Sequence, residues 1–185
     1  MKKLEESISK ITKVLDLQEK HQDKVLQLTR EIIRDCAKAI KDIHGESIPA
    51  AEAELEQIRK KISELGKVDA DFKHISQQCY QEFVEIESLM AIFKKKDLPG
   101  YEELGVEFVP WLLGLADTVG ELRRALQLSL RSGKKKEAEY YFNKMNGIYD
   151  NLMTLKYSSS LVGPLRRKQD VLRGQIEQAR SEMLR

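Results

Sequence analysis

Four acidic residues on two apolar segments are the side chains of this sequence best placed to do chemistry. Glu82 and Glu85 lie in the stretch YQEFVEI, and Asp117 and Glu121 interrupt the run WLLGLADTVGEL. Ionised carboxylates are costly among apolar neighbours unless they are paired or hold a cation. Clustered oxygen ligands are what Mg²⁺ needs. The pattern therefore indicates a metal site, a set of satisfied structural carboxylates, or carboxylates that merely face water.

Helical spacing decides which of these acids can act together. Residues three apart on a helix differ by roughly 60° around its axis, and residues four apart by roughly 40°. Glu82 and Glu85 therefore share a face, as do Asp117 and Glu121, and the four converge if the two helices are neighbours. Spacing alone is weakly specific, because 30 of the 185 residues are acidic and such pairs arise by chance. Asp117 is distinguished by its apolar neighbours.

Other common site chemistries find no matching motif. A di-iron centre in a helical bundle needs two Glu-x-x-His motifs, and none of the three histidines follows a glutamate at that spacing. Cys36 and Cys79 are isolated, without a CxxC motif, which predicts reduced structural thiols in a cytosolic protein. No serine or cysteine nucleophile motif and no Gly-rich phosphate loop is present.

Composition favours long amphipathic helices, since 34% of the residues are charged and only 6% are aromatic. The net charge is only +2, but residues 131–185 hold 12 basic and 6 acidic residues. This basic third either meets a polyanion or forms solvated helix faces. No signal core and no run of about 18 apolar residues is found, which predicts a cytoplasmic protein with no membrane partner.

Apolar spacing of three and four predicts an all-α fold in a single domain, residues 1–185. The predicted helices are 4–43 (one helix or two abutting ones, with the polar stretch 16–24 as a bend or an exposed segment), 50–65, 69–94, 108–131, 134–157 and 162–184. Short loops imply an antiparallel bundle of about six or seven helices. Gly114 and Gly120 lie inside the fourth, where each costs about 1 kcal/mol. They indicate close helix approach, room for a ligand, or packing alone.

Three stretches of the chain carry a family resemblance. They are residues 28–32 with their continuation to 43–44, the QEFVE at 81–85, and VPWLLGLADTVGELRR at 109–124. In these stretches the sequence resembles the translin superfamily, and translin-associated factor X (TRAX) more than translin itself. The similarity covers most of the chain beyond about residue 20, although the chain is shorter than eukaryotic members.

The resemblance implies an all-helical subunit of a closed, hollow oligomer, typically an octamer, that encloses RNA or single-stranded DNA. For the TRAX branch it also implies a Mg²⁺-dependent endoribonuclease, with Mn²⁺ as an alternative ion. Eukaryotic TRAX works beside translin, so a homo-oligomer of this chain and a second translin-family subunit both stay open.

The resemblance also assigns roles to residues. The acids of the TRAX branch match Glu82, Glu85 and Asp117, whereas the translin branch lacks acids there. Glu121 and Arg124 match both branches, so Glu121 is a further metal-ligand candidate that could equally serve structure. Held Mg²⁺ would lower the pKa of a bound water and offset the charge of the scissile phosphate. Arg30, Lys38 and Arg124 are the candidates for contacts with the nucleic-acid backbone.

Three functions are therefore expected in turn. The first is a homo-oligomeric, metal-dependent endoribonuclease that cleaves RNA phosphodiesters with little base specificity. The second is a non-catalytic shell that binds single-stranded nucleic acid, as translin does. The third is a helical adaptor without a nucleic-acid role.

Overall fold

A computed structural model describes residues 1–184, and over that range it contains helices and turns but no strand. The helices are α1 (Lys2–His44), α2 (Ile48–Leu65), α3 (Lys73–Phe93), α4 (Phe108–Arg131), α5 (Lys135–Met153), α6 (Ser159–Val162) and α7 (Leu165–Met183). A 3₁₀ turn, Ala70–Phe72, precedes α3. The predicted all-α bundle of six or seven helices is confirmed.

Helix α1 is one continuous helix of 43 residues. The polar stretch 16–24 is exposed and does not bend the chain. From Val25 onward α1 buries one face, including Ile32 and Ile43, against the bundle, whereas every residue before Val25 is exposed. The first half of α1 therefore projects beyond the packed part of the described chain.

Two predicted helices end or begin elsewhere than expected. The helix predicted over 134–157 ends at Met153, because the hydroxyl of Thr154 donates to the Asn151 carbonyl at 2.7 Å and closes the last turn. The helix predicted from 162 begins at Leu165, directly after Pro164. Proline is tolerated there because the first helical residues need no backbone donor.

Helix α4 lies at the centre of the bundle. It packs against α3 on one side and against α5 and α7 on the other, while α1 packs against α2 and α3. Leu113, Leu122 and Leu126 of α4 are fully or almost fully buried. Burying such side chains stabilises the fold by about 1.5–3 kcal/mol each. The acidic residues of α3 and α4 are therefore carried by the best-packed pair of helices.

Gly114 sets the distance between α3 and α4. A Cβ atom built on Gly114 would lie 2.5 Å from the Gln81 carbonyl oxygen and 2.7 Å from the Val84 Cβ. No side chain fits at such distances, so the two backbones approach more closely than any other residue would permit. This contact lies beside Glu82 and Glu85 on one helix and one turn before Asp117 on the other.

Among residues 1–184, none of the helices combines the length and the apolar composition that a bilayer crossing requires.

Replacing Gly114 with alanine is expected to lower the free energy of unfolding by about 1–3 kcal/mol, because the added methyl group overpacks the α3–α4 contact. Gly147 is the matched control. It also lies inside a helix, but no atom lies within 4 Å of a Cβ built there. Gly147→Ala should therefore stabilise by about 0.5–1 kcal/mol. Urea unfolding of both variants at one protein concentration measures the difference, and equal stabilities would contradict the close contact.

Candidate functional site

Three of the four predicted acids line one cleft. Glu82 and Glu85 come from α3 and Asp117 from α4, and α7 supplies the remaining wall. The cleft has a volume of about 630 Å³. Its lining is Glu82, Glu85, Ala116, Asp117, Gly120, Pro164, Arg167, Lys168, Val171, Leu172 and Gln175. The cleft therefore brings acids from two helices to basic residues from a third.

Glu85 is the most buried of these acids, with 8% of its surface exposed. Its carboxylate makes no hydrogen bond or ion pair with any residue in the described range. Burial raises the pKa of Glu85 to about 9, and the negative charges of Glu82, Asp117 and Glu121 add to this effect. Glu85 is thus a buried carboxyl whose charged form lacks a partner.

Glu82 has a milder version of the same environment. Burial raises the pKa of Glu82 above its ordinary value, and the charge of Asp117 raises it further. A hydrogen bond from Gln78 and the charge of Lys168 act in the opposite direction without cancelling the rise. Two neighbouring acids of α3 are therefore both harder to ionise than in water.

Asp117 is held at both carboxylate oxygens. The amide nitrogen of Gln81 donates to Oδ2, and the Lys168 ammonium donates to Oδ1. Because Gln81 lies beside the Gly114 contact, the same close approach of α3 and α4 fixes the orientation of Asp117.

The buried acids outside the cleft differ from Glu85 in having partners. Asp69 accepts hydrogen bonds from the hydroxyls of Ser76 at 2.5 Å and Tyr80 at 2.9 Å. Glu87 accepts two bonds from the Arg59 guanidinium, at 2.6 and 2.8 Å. Buried charged groups are normally satisfied in this way. The unpartnered carboxyl of Glu85 is therefore a local feature of the cleft.

Glu121 does not line the cleft. Its Oε2 lies 2.6 Å from His44 Nε2 and 3.7 Å from an Arg124 nitrogen. The hydrogen bond to His44, helped by the charge of Arg124, lowers the pKa of Glu121. The His44 side chain is almost fully buried and meets Phe93 edge-on. Glu121 thus has partners that join α4 to the end of α1, and its role as a metal ligand stays a prediction.

The three predicted nucleic-acid contacts lie apart from the cleft lining. Arg30 is exposed on α1, beside a shallow hollow that it shares with Arg34. Lys38 is also exposed and forms an ion pair with Glu54 of α2 at 2.5 Å. Arg124 is exposed beside Glu121. Contact of these residues with nucleic acid stays a prediction.

Sequence reasoning missed the two basic residues of the cleft. Arg167 and Lys168 lie in the first turn of α7, where Pro164 precedes the run LRRK. The basic excess of residues 131–185 pointed to this part of the chain. Which of its 12 basic residues faces the acids depends on how α7 packs against α4, which spacing does not give.

The donor set of the cleft fits a hard divalent cation. Its three acids are oxygen ligands, and their mutual repulsion and burial raise the pKa values of Glu82 and Glu85, so a cation between them would be stabilised. No group of three or more Asp, Glu, His or Cys side chains within residues 1–184 is arranged as a metal ligand set. Metal binding by Glu82, Glu85 and Asp117 therefore stays a prediction.

The cysteines offer no alternative nucleophile. Cys36 and Cys79 are both free and buried. Burial raises the pKa of the Cys36 thiol and brings that of Cys79 to about 12. A thiol reacts as its thiolate, so neither cysteine is activated.

The chain is similar to a small set of known proteins, although no protein-family model matches it. It is 35% identical over 166 residues to the uncharacterized protein MJ0175 of Methanocaldococcus jannaschii, an alignment that covers 88% of this chain and 74% of the relative.

Three solved structures share the fold. The structure of an AfC3PO–duplex RNA complex matches with a TM-score of 0.86 and 29% identity, over 96% of this chain and 94% of the other. AfC3PO alone matches with a TM-score of 0.86 and 30% identity, over 96% and 95%. Apo-NeC3PO, at 22% identity and a TM-score of 0.85 over 96% and 95%, supports the fold alone.

The raised pKa of Glu85 predicts how the stability of the metal-free protein depends on pH. Between the ordinary value of 4.5 and about 9, folded Glu85 keeps a proton that the unfolded chain has released. Stability therefore falls as pH rises through this window, by at most about 1.4 kcal/mol per pH unit. Glu85→Gln cannot ionise and should lose this part of the pH dependence.

Urea unfolding in EDTA between pH 5 and pH 9 checks this expectation. The native chain should lose stability relative to Glu85→Gln as the pH rises. Glu87→Gln is the control for a buried glutamate, and it should destabilise at neutral pH because it removes the partner of Arg59. A constant difference between the native chain and Glu85→Gln across the window would contradict the assignment.

Proposed function

The chain belongs to the translin superfamily, and we propose that it is a metal-dependent endoribonuclease that binds RNA as an oligomer. The observation that carries the proposal is the cleft, in which the unpartnered, buried Glu85 lies with Glu82 and Asp117. These three residues match the acids of the TRAX branch. AfC3PO, 30% identical to this chain, has also been solved with duplex RNA, which supports RNA as the substrate class.

Each residue of the cleft has a role in this proposal. Glu82, Glu85 and Asp117 would hold Mg²⁺, or Mn²⁺ in its place. The ion, when bound, supplies positive charge to a phosphodiester and makes water more acidic. Gln81 orients Asp117 by its hydrogen bond. Arg167 at the mouth of the cleft would hold the sugar–phosphate backbone, a contact that carries no base specificity.

A second candidate function is a non-catalytic shell that binds nucleic acid. One observation favours it: Asp117 already has both carboxylate oxygens bonded, by Gln81 and Lys168, without any metal. In this function the cleft acids would be structural. RNA would then bind without Mg²⁺-dependent products.

Self-association is the third part of the proposal, and the first half of α1 supports it. Leu4, Ile8, Ile11 and Leu15 recur every three or four residues, and each is more than half exposed. The same spacing, continued beyond Val25, is the face that α1 buries in the bundle. A contiguous apolar face of this kind marks an interaction surface. We propose that a second copy of the chain covers it in a closed oligomer, expected to be an octamer.

Asp117→Asn should reduce RNA cleavage by at least about 100-fold, since it removes a ligand of an ion that contributes several kcal/mol. Binding of RNA and the oligomeric state should not change. The measurement is cleavage of a short labelled RNA in Mg²⁺ and in EDTA. Asp150→Asn, an exposed acid on α5, is the matched control and should cleave as the native chain does. Undiminished cleavage by Asp117→Asn in a nuclease-free preparation would overturn the proposal.

Replacing Ile8, Ile11 and Leu15 together with glutamine should convert the oligomer into smaller species, because the apolar face is lost while glutamine keeps the helix. Light scattering after size-exclusion chromatography measures the mass. The control replaces Lys10, Lys13 and Lys20 of the same helix with glutamine and should leave the mass unchanged. An unaltered mass for the first variant would show that this face is not the contact.

A further inference from the structure

Lys168 is the cation that reaches furthest into the acidic cleft. It lies in the first turn of α7, and its ammonium donates to Asp117 Oδ1 on α4. About a quarter of its side chain is exposed, against more than half for Arg124 beside Glu121. Lys168 therefore lies inside the cleft rather than on its rim.

The charge of Lys168 reaches all three acids. Besides its ion pair with Asp117, it lowers the pKa of Glu82 and of Glu85, although burial outweighs this effect at both. If all three acids were ionised, one ammonium would leave a charge of −2 in the cleft. That charge matches a divalent cation, and such an ion bound by Asp117 would compete with the ammonium for the same oxygen.

From this geometry, and resting on the proposed function, we propose that Lys168 is a displaceable internal cation that also binds the substrate. In the metal-free protein the ammonium neutralises Asp117. When a divalent cation binds the acids, the ammonium leaves Asp117 and contacts the phosphate of an RNA bound in the cleft. Lys168 is then a catalytic residue in the metal-loaded complex.

The side chain of Lys168 suits both positions. A lysine ammonium is a compact charge with three donors on a flexible four-carbon stem, so it can change partners without movement of the helix. The volume of about 630 Å³ leaves room for that movement. An arginine at this position would keep the charge, but its rigid planar donors would grip a carboxylate through two bonds.

Titration with Mn²⁺, followed by electron paramagnetic resonance of the free ion, tests the first half of the proposal without RNA. Lys168→Met should bind Mn²⁺ about three- to tenfold more tightly than the native chain, because the competing ammonium is gone. Lys168→Arg should bind no more tightly than the native chain. Lys60→Met, an exposed lysine of α2, is the control and should leave the affinity unchanged.

Cleavage of a short RNA at saturating Mg²⁺ tests the second half. Lys168→Met should cleave about 10- to 100-fold more slowly, since a positive group at the phosphate is lost, and Lys168→Arg should recover part of the rate. Tighter Mn²⁺ binding together with slower cleavage supports the proposal. A purely structural lysine would instead weaken both, through loss of the Asp117 orientation.

Two results would overturn the proposal while leaving the proposed function intact. One is unchanged or weaker Mn²⁺ binding by Lys168→Met, and the other is cleavage at the native rate by that variant. If Glu82→Gln removes no Mn²⁺ from the native chain, the metal site itself is absent, and the proposed function fails with this inference. Circular dichroism and the unfolding midpoint of Lys168→Met confirm that the variant is folded.

Discussion

The close approach of α3 and α4 at Gly114 is the constraint on which the rest of the structure depends. A helix-interior glycine is unfavourable by about 1 kcal/mol, yet here it permits backbone contact with Gln81 and Val84 that no other residue allows. The contact does more than pack the core. It places Asp117 within hydrogen-bonding distance of Gln81 and brings it to the same cleft as Glu82 and Glu85. A wider helix spacing would separate the acids and leave two unrelated pairs.

The bundle treats its buried acids in two ways. Asp69 and Glu87 are fixed by hydroxyls or by a guanidinium, and they join neighbouring elements. In the cleft, by contrast, burial and like charge act together against ionisation, and only Asp117 has a cationic partner. Such an arrangement opposes folding unless the rest of the core compensates, and the densely packed α4 supplies that compensation. Perturbed acids of this kind are typical of functional sites.

Local pattern accounts for much of this molecule, and long-range packing for the remainder. Apolar spacing predicted the all-α fold, and the position of Gly114 inside a helix indicated a close helix contact as one of three explanations. The grouping of Glu82, Glu85 and Asp117 could be expected because their spacing and their resemblance to the TRAX branch agree. The Lys168–Asp117 pair spans 51 residues and the His44–Glu121 pair spans 77. Neither pair leaves a periodic trace in the sequence, because each depends on how whole helices dock.

The cleft is built by helices from both halves of the chain, with α7 completing what α3 and α4 begin. During synthesis the ribosome releases the acids of α3 and α4 well before the Lys168 helix. Domains form progressively from their N-terminal side as the chain emerges, so the nascent bundle presents an open, uncompensated anionic groove. Closure of that groove by α7 is a late event in the biogenesis of the protein, and a ribosome that stalls before α7 would yield a helical intermediate without its cation.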